Sequence, residues 1–187
     1  MIYLGSQSPR RRQLMAGLDI EFECVSIHCD ETFPENLHGA EIPLYLSQLK
    51  ADAYRHELND GDTLITADTI VWCDNRMLGK PRDKADAVSM LQQLSGKEHE
   101  VITGVCLTTM QSRKTFSVTS KVRFAELTDE QIEYYVNKYK PYDKAGAYGI
   151  QEWIGYIGVE SIEGSYFNVM GLPVQRLYRE LVGLRTN

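Results

Sequence analysis

Apolar residues recur along this chain with two different spacings, and the spacing separates predicted helices from predicted strands. Where apolar side chains lie three or four residues apart, they fall on one face of a helix. Helices predicted in this way begin near Pro9, Glu41, Asp83, Thr128 and Leu172. Capping signals support two of these starts, because Ser8 precedes a proline and Thr128 stands three residues before a glutamine.

Alternating or continuous apolar runs predict the strands. The two longest, residues 98–110 and 115–126, predict an antiparallel hairpin. Shorter strands are predicted at residues 2–4, 22–27, 63–67, 70–73 and 156–162, with Asp74-Asn75 as a hairpin turn. Because helices and strands intermix, the sequence predicts an α/β fold in one domain over residues 1–187. Its elongated mixed β-sheet is expected to be flanked by helices, with two lobes around a cleft.

Composition and charge narrow the class of protein. A net charge of −6 over 187 residues disfavours an extended nucleic-acid surface, because binders of the phosphate backbone usually carry a basic field. No apolar run is long enough to span a membrane, and the first residues lack the features of a secretory signal. The four cysteines are expected to be reduced thiols. We therefore expect a cytoplasmic protein with no nucleic-acid and no membrane partner.

The first segment with candidate chemistry is Ser6-Gln7-Ser8-Pro9-Arg10-Arg11, between a strand and a helix. The free N–H groups of a helix N-terminus suit phosphate, and arginine binds phosphate oxygens in bidentate fashion. Basic residues in the first turn of a helix interact unfavourably with the helix dipole, so the presence of these arginines requires an explanation. A bound polyphosphate would supply one, and a solvated basic face is the alternative.

Asp68 is the second candidate, because it lies between apolar residues of the predicted strands. A carboxylate in such a place is costly unless it is paired, hydrogen-bonded or bound to a metal. Hard cations such as Mg²⁺ bind carboxylate and phosphate oxygens together. The alternative is an aspartate that caps or forms a turn.

Two further segments combine small residues with polar groups. Lys80 stands between Gly79 and Pro81, where a stiff backbone would hold its ammonium group in place for a phosphate. The same composition is also common in loops. Residues 143–151 contain two glycines and two alanines, which let the backbone approach a ligand. This segment ends in Gln151, whose amide offers the donor and acceptor needed to bind a nucleobase edge. A tight structural turn is the alternative for that segment.

Together these segments resemble the Maf family of nucleotide pyrophosphatases over nearly the whole chain. The matching pieces are Leu4 through Arg11, Ala67-Asp68-Thr69, Gly79-Lys80-Pro81, Leu94-Ser95-Gly96 with His99, Thr103-Gly104-Val105, and Asp143 through Gln151. The last piece is similar to the branch of the family that acts on dTTP and UTP.

The resemblance implies a fold similar to that of inosine triphosphate pyrophosphatases and assigns roles to single residues. Asp68 matches the proposed proton acceptor. Positions linked to substrate choice are matched by Arg10, Thr69 and Gln151. Polar positions of the phosphate-binding cleft are matched by Ser6, Arg11, Lys50 and Lys80. A divalent cation, Mg²⁺ or Mn²⁺, would be held by Asp68 and Glu31, and the family implies a homodimer.

The function expected from this resemblance is hydrolysis of dTTP and UTP to the monophosphate and pyrophosphate, by metal-assisted attack of water on the α-phosphorus. A modified pyrimidine triphosphate is a second candidate substrate. The alternative from another class is a non-catalytic nucleotide-binding regulator of septum formation. Two departures from the family pattern stand out: Gly5 replaces the usual alanine, and Glu152-Trp153-Ile154 replaces glycine and small residues. We expect Glu152 and Trp153 to narrow base selectivity.

Overall fold

The computed structural model describes residues 1–185, and these residues form a mixed sheet with helices. Its strands are β1 (Ile2–Gly5), β2 (Glu23–Cys24), β3 (Thr63–Cys73), β4 (Arg76–Leu78), β5 (Glu98–Thr108), β6 (Arg113–Phe124) and β7 (Val159–Glu163). Its helices are α1 (Pro9–Ala16), α2 (Glu41–Tyr54), α3 (Lys84–Leu94), α4 (Asp129–Tyr139), α5 (Trp153–Gly158), α6 (Tyr166–Met170) and α7 (Val174–Arg185). The strand order is β2-β1-β3-β5-β6-β7, with β4 paired to β3. The predicted α/β class with a mixed sheet and flanking helices is confirmed.

The register shows why the sheet is mixed. Strand β1 runs parallel to both of its neighbours, so that Leu4 lies opposite Cys24 on one side and Ile65 on the other. Strand β4 is antiparallel to β3, and β7 is antiparallel to β6. A strand was predicted over residues 22–27, but β2 has only two residues because its pairing with β1 covers no more.

The chain divides into two compact units. Unit 1 contains Met1–Thr69, Thr103–Val118 and the chain from Gly171 onward, and unit 2 contains Ile70–Ile102 and Thr119–Met170. The predicted cleft between two lobes, and the single domain over residues 1–187, stay predictions.

In unit 1, helix α2 lies directly on strand β5. A Cβ atom at Gly104 would come within 2.3 Å of the carbonyl carbon of Pro43, so only glycine permits this approach. Leu46 and Ala51 on the same helix are buried. Lys50 is therefore carried by a helix whose position on the sheet is fixed by close packing.

Unit 2 has an apolar core formed by α3, α4, the residues that follow α4, and strand residues such as Val101 and Val122. Buried members include Leu91, Leu94, Phe124, Tyr135 and Ile154. His99 belongs to the same core, with Phe124 and Tyr148 packed against its ring edge-to-face. His99 is 2% exposed, and burial lowers its pKa to about 4. This histidine is therefore a neutral packing residue at physiological pH.

The structure differs from the predicted local structure at three further places. Strand β3 runs unbroken through Asp68, where an interruption was predicted. The strand predicted over residues 156–162 begins only at Val159, because the preceding apolar residues belong to helix α5. Residues 166–170, where no helix was predicted, form helix α6. Short apolar runs fit a helix or a strand equally well, so tertiary packing decides between them.

The α-helices of the described residues have between five and 14 residues. Helix α2 has 14 residues and buries five of them. Among residues 1–185, the structure has no helix with the length and apolar character that crossing a bilayer requires.

Candidate active site

Asp68 lies within strand β3 and is paired with a lysine from helix α2. The Nζ atom of Lys50 is 2.7 Å from Oδ1 of Asp68. The same Nζ is 3.3 Å from Oε2 of Glu31, in the loop before α2. The side chains of Lys50 and Asp68 are only 12% and 14% exposed, whereas that of Glu31 is 52% exposed. We call these three residues the Asp68 cluster.

The guanidinium of Arg11 fixes the backbone on both sides of Asp68. Its Nη1 donates to the carbonyl of Ala67 at 2.8 Å, and its Nη2 donates to the Thr69 hydroxyl at 2.9 Å. Its Nε donates to the carbonyl of Gly171 at 2.8 Å. Burial lowers the pKa of Arg11, and the charge of Asp68 opposes that shift. Arg11, expected to contact phosphate, thus binds protein groups through all three of its nitrogens.

The Thr69 hydroxyl, expected to influence substrate choice, is part of the same network. It lies 2.9 Å from the hydroxyl of Thr103 and 3.3 Å from the carbonyl of Gly171, in addition to its bond with Arg11. Three partners leave this hydroxyl little capacity to bind a base as well. Thr69 therefore lies where it can position Asp68, and its role in substrate choice stays a prediction.

The first turn of α1 has the predicted capping structure. The Ser8 side chain accepts a bond from the backbone N–H of Arg11 at 3.4 Å, and the Ser8 N–H donates to the Ser6 hydroxyl at 3.2 Å. This turn contains no acidic residue, so its arginines oppose the helix dipole without compensation there. Because Arg11 bonds to both neighbours of Asp68, the turn that carries Arg10 belongs to the same part of unit 1 as Asp68.

Unit 2 contains the other predicted site residues. Gln151 is half-buried, and its Oε1 is a buried atom without a hydrogen-bond partner. It ends a loop in which Gly146 and Ala147 both have positive φ, at 68° and 59°. Such a backbone is strained for alanine and is found more often at functional sites than elsewhere. The Gly146 N–H donates to the carbonyl of Gly79 at 3.0 Å, which ties this loop to the residue before Lys80. We call residues 143–152 the Gln151 loop.

The chemistry of the Asp68 cluster is compatible with a divalent cation. Mg²⁺ typically binds one or two carboxylates together with substrate phosphates, and Asp68 and Glu31 supply two carboxylates beside one ammonium. The described residues contain no group of three or more histidine, cysteine, aspartate or glutamate side chains arranged to hold a metal. A metal here would therefore depend on ligands from the substrate.

A family model described as "Maf-like protein" matches residues 1–184. The chain belongs to this family. Its resemblance to Maf proteins, inferred from the sequence motifs, is confirmed.

Curated relatives in the Maf-like family cover almost the whole chain. A protein of Bacteroides thetaiotaomicron named "dTTP/UTP pyrophosphatase" is 58% identical over 96% of this chain and 94% of its own length. A protein of Flavobacterium psychrophilum with the same name is 48% identical over 97% of this chain and 93% of its own length. The chain thus spans nearly the full length of both relatives.

Among solved structures, the Ham1 protein of Staphylococcus aureus has a similar fold. It is 13% identical, with a TM-score of 0.50 over 67% of this chain and 72% of the Ham1 chain. At this identity the likeness concerns the fold alone, and it agrees with the predicted inosine triphosphate pyrophosphatase-like fold.

Sequence reasoning named the charged candidate residues of this Maf-like protein but missed the residues that contact them. Thr103 was noticed only as part of a family motif, and Gly171 only as part of a loop. Tyr135 on helix α4 and Lys144 within the Gln151 loop received no role, although both contact Glu152. The signal of Tyr135 in the sequence is weak, because its partners Gly149 and Glu152 lie in another segment of the chain.

Proposed function

We propose that this protein hydrolyses dTTP and UTP to the nucleoside monophosphate and pyrophosphate. The observation that carries the proposal is the Asp68 cluster: a carboxylate inside a buried strand, with a lysine at 2.7 Å. Relatives that are 48% and 58% identical and are named dTTP/UTP pyrophosphatase support the same reaction. A carboxylate and a lysine beside an arginine-rich helix start suit a triphosphate better than a neutral substrate.

In the proposed mechanism, Asp68 orients a water molecule and receives its proton. The water oxygen bonds to the α-phosphorus as the bond from that phosphorus to the bridging oxygen breaks, and pyrophosphate leaves. Lys50, bonded to Asp68, stabilises the negative charge that develops on the phosphate oxygens. Ser6, Arg10 and Lys80 bind the phosphates.

Asp68 and Glu31 would hold a Mg²⁺ or Mn²⁺ ion, which when bound neutralises charge on the triphosphate oxygens.

Arg11 has a different role in this proposal from its neighbour Arg10. Its bonds to the carbonyl of Ala67 and the hydroxyl of Thr69 fix the strand segment that carries Asp68. Its bond to Gly171 adds the segment before α7 to the same network. Arg11 is therefore a positioning residue, since a misplacement of about 1 Å at a reacting group can cost roughly a hundredfold in rate.

Gln151 binds the base. Uracil and thymine present an N–H donor beside a carbonyl acceptor, and an amide side chain matches that pair. Guanine presents the same pair, but on a larger ring system, so an amide held in a fixed place discriminates by the position of the pair. The buried Oε1 of Gln151 is an acceptor that needs such a donor. A buried polar atom left without a partner costs about 1–3 kcal/mol, so a base that supplies the donor gains that much over one that does not.

A product assay tests this function and separates it from the regulator alternative. The protein is incubated with Mg²⁺ and, in turn, dTTP, UTP, GTP and ATP, and both pyrophosphate and orthophosphate are measured. We expect pyrophosphate with dTTP and UTP and much less with the purines. Tight binding of dTTP without release of pyrophosphate would contradict the proposal and favour a regulator. Release of orthophosphate instead would place the cleavage at another bond.

A further inference from the structure

Three polar side chains bond to one another at the Gln151 loop: Tyr135 from helix α4, and Lys144 and Glu152 from the loop itself. Oε1 of Glu152 is 3.0 Å from Nζ of Lys144, and Oε2 of Glu152 accepts a bond from the Tyr135 hydroxyl at 2.6 Å. The Tyr135 hydroxyl in turn accepts a bond from the backbone N–H of Gly149 at 3.0 Å. One hydroxyl on helix α4 thus joins the residues on either side of the pair Ile150-Gln151.

These groups are buried deeply enough for their contacts to matter. The Tyr135 side chain is fully buried, and those of Lys144 and Glu152 are 10% and 20% exposed. Burial and the charge of Glu152 raise the pKa of Tyr135, so its hydroxyl remains a donor at physiological pH. Breaking a buried ion pair by removing one member leaves an uncompensated charge, although Asp143 is also 2.9 Å from Lys144 and reduces that cost here.

The backbone at Gly149 closes around this ion pair. A Cβ atom at this position would come within 2.9 Å of Cε of Lys144 and within 3.1 Å of Cδ of Glu152. The side chains therefore pack directly against the main chain of the loop, and the loop has little freedom to shift.

Glu152 is one of the two departures from the family pattern, and its contacts differ from what the sequence suggested. We expected its carboxylate to narrow base selectivity by its own presence near the base. Both of its oxygens are instead bonded to Tyr135 and Lys144. The adjacent Trp153 packs edge-to-face on Tyr134 with ring centroids 4.8 Å apart. Any effect of Glu152 on the base is therefore transmitted through Gln151.

We propose that Tyr135, Glu152 and Lys144 are specificity-determining positioning residues, which preorganise Gln151 so that its amide selects uracil and thymine over purines. This inference rests on the proposed function. A glutamine side chain has several rotatable bonds, so its power to discriminate depends on a fixed backbone beneath it. If the support is removed, Gln151 can turn to suit a purine, and selectivity falls while the Asp68 cluster keeps its geometry.

The test is the ratio of kcat/KM for dTTP to kcat/KM for GTP. Tyr135→Phe removes the shared hydroxyl, and Glu152→Gln leaves one oxygen where there were two. We expect each to lower the ratio roughly fivefold, mainly through KM, with kcat for dTTP little changed. Tyr134→Phe is the matched control, because Tyr134 is the adjacent residue on α4 and is exposed. Its hydroxyl accepts a bond from Lys138 and makes none with the three residues above, and the substitution keeps its ring contact with Trp153.

Thermal unfolding of each variant shows whether it is folded, and Glu152→Gln carries the test if Tyr135→Phe is not. An unchanged ratio in a folded Glu152→Gln protein would overturn the inference. If the wild-type protein releases no pyrophosphate, the proposed function fails, and the inference is tested by calorimetry of dTTP and GTP binding. Loss of preference for dTTP in the variants would then support it, and an unchanged preference would overturn it.

Discussion

The Asp68 cluster and the Gln151 loop differ in how their charged and polar groups are paired. In the Asp68 cluster, each charged group faces an opposite charge, since Lys50 lies between Asp68 and Glu31. In the Gln151 loop, a buried ion pair supports the backbone, but the buried Oε1 of Gln151 has no partner. Under the proposed function, a triphosphate competes with existing ion pairs in the first region, whereas a base supplies a missing bond in the second.

The Asp68 cluster thus supplies charged groups, whereas the Gln151 loop supplies a backbone held in a fixed position. Cleavage of a phosphate bond needs charged groups that stabilise the negative charge developing as the bond breaks. Discrimination between bases needs a rigid acceptor whose partner is absent from the protein itself. Substitutions in the Asp68 cluster should accordingly change rate, and substitutions in the Gln151 loop should change the ratio between substrates.

The largest effect is expected at Asp68. Asp68→Asn keeps the size of the side chain but removes the group that receives the proton, so kcat for dTTP should fall roughly a thousandfold. Steady-state pyrophosphate release measures it, with circular dichroism as the test of folding. Asp74→Asn, on an exposed turn, is the matched control and should retain wild-type activity. An active Asp68→Asn enzyme would remove Asp68 from the reaction.

The next effect separates two neighbouring arginines. Arg11→Ala should lower kcat for dTTP roughly a hundredfold with a modest change in KM, because the backbone around Asp68 loses its support. Arg10→Ala should mainly raise KM, because Arg10 is proposed to bind phosphate. Steady-state kinetics of both variants measures the difference. The reverse pattern, in which Arg11→Ala changes only KM, would contradict the positioning role and indicate that Arg11 binds phosphate.

A smaller effect is expected on selectivity. Gln151→Ala removes the unpartnered acceptor, and the ratio of kcat/KM for dTTP to that for GTP should fall roughly tenfold. The change should appear in competition experiments with both nucleotides present. Gln111→Ala, on an exposed turn, is a control that should leave the ratio unaltered. If Gln151→Ala also preserves the ratio, another residue binds the base.

The last prediction concerns stability and not activity, and it rests on His99, whose Nε2 lies 2.7 Å from the Tyr148 hydroxyl of the Gln151 loop. Burial lowers the pKa of His99 from 6.5 to about 4, so the unfolded chain binds more protons than the folded one between these values. Stability from this group is present above pH 6.5 and is lost as pH falls toward 4. It should cost about 2 kcal/mol between about pH 8 and about pH 5.

Urea unfolding at the two pH values measures this loss. A His99→Gln variant should lack this component of the pH dependence. His56→Gln is the control, because the side chain of His56 is 71% exposed. An identical pH dependence in the wild-type and His99→Gln proteins would contradict the assignment.

Strand β3 shows which features could be predicted from the sequence and which could not. Its apolar residues predicted the strand, but Asp68 suggested an interruption, because its partner Lys50 lies 18 residues away and the pairing is invisible in a local pattern. The same limit applies to Arg11, whose bond to Gly171 joins positions 160 residues apart. Residue types and motifs thus identified the candidate site, whereas the roles of positioning residues needed the folded chain. The homodimer and the cytoplasmic location stay predictions.

The most direct test of the account is hydrolysis of dTTP in water enriched in oxygen-18, followed by mass spectrometry of both products. If water attacks the α-phosphorus, as the proposed role of Asp68 requires, the label enters dTMP and pyrophosphate stays unlabelled. Label in pyrophosphate would show attack on the β-phosphorus and would contradict the account.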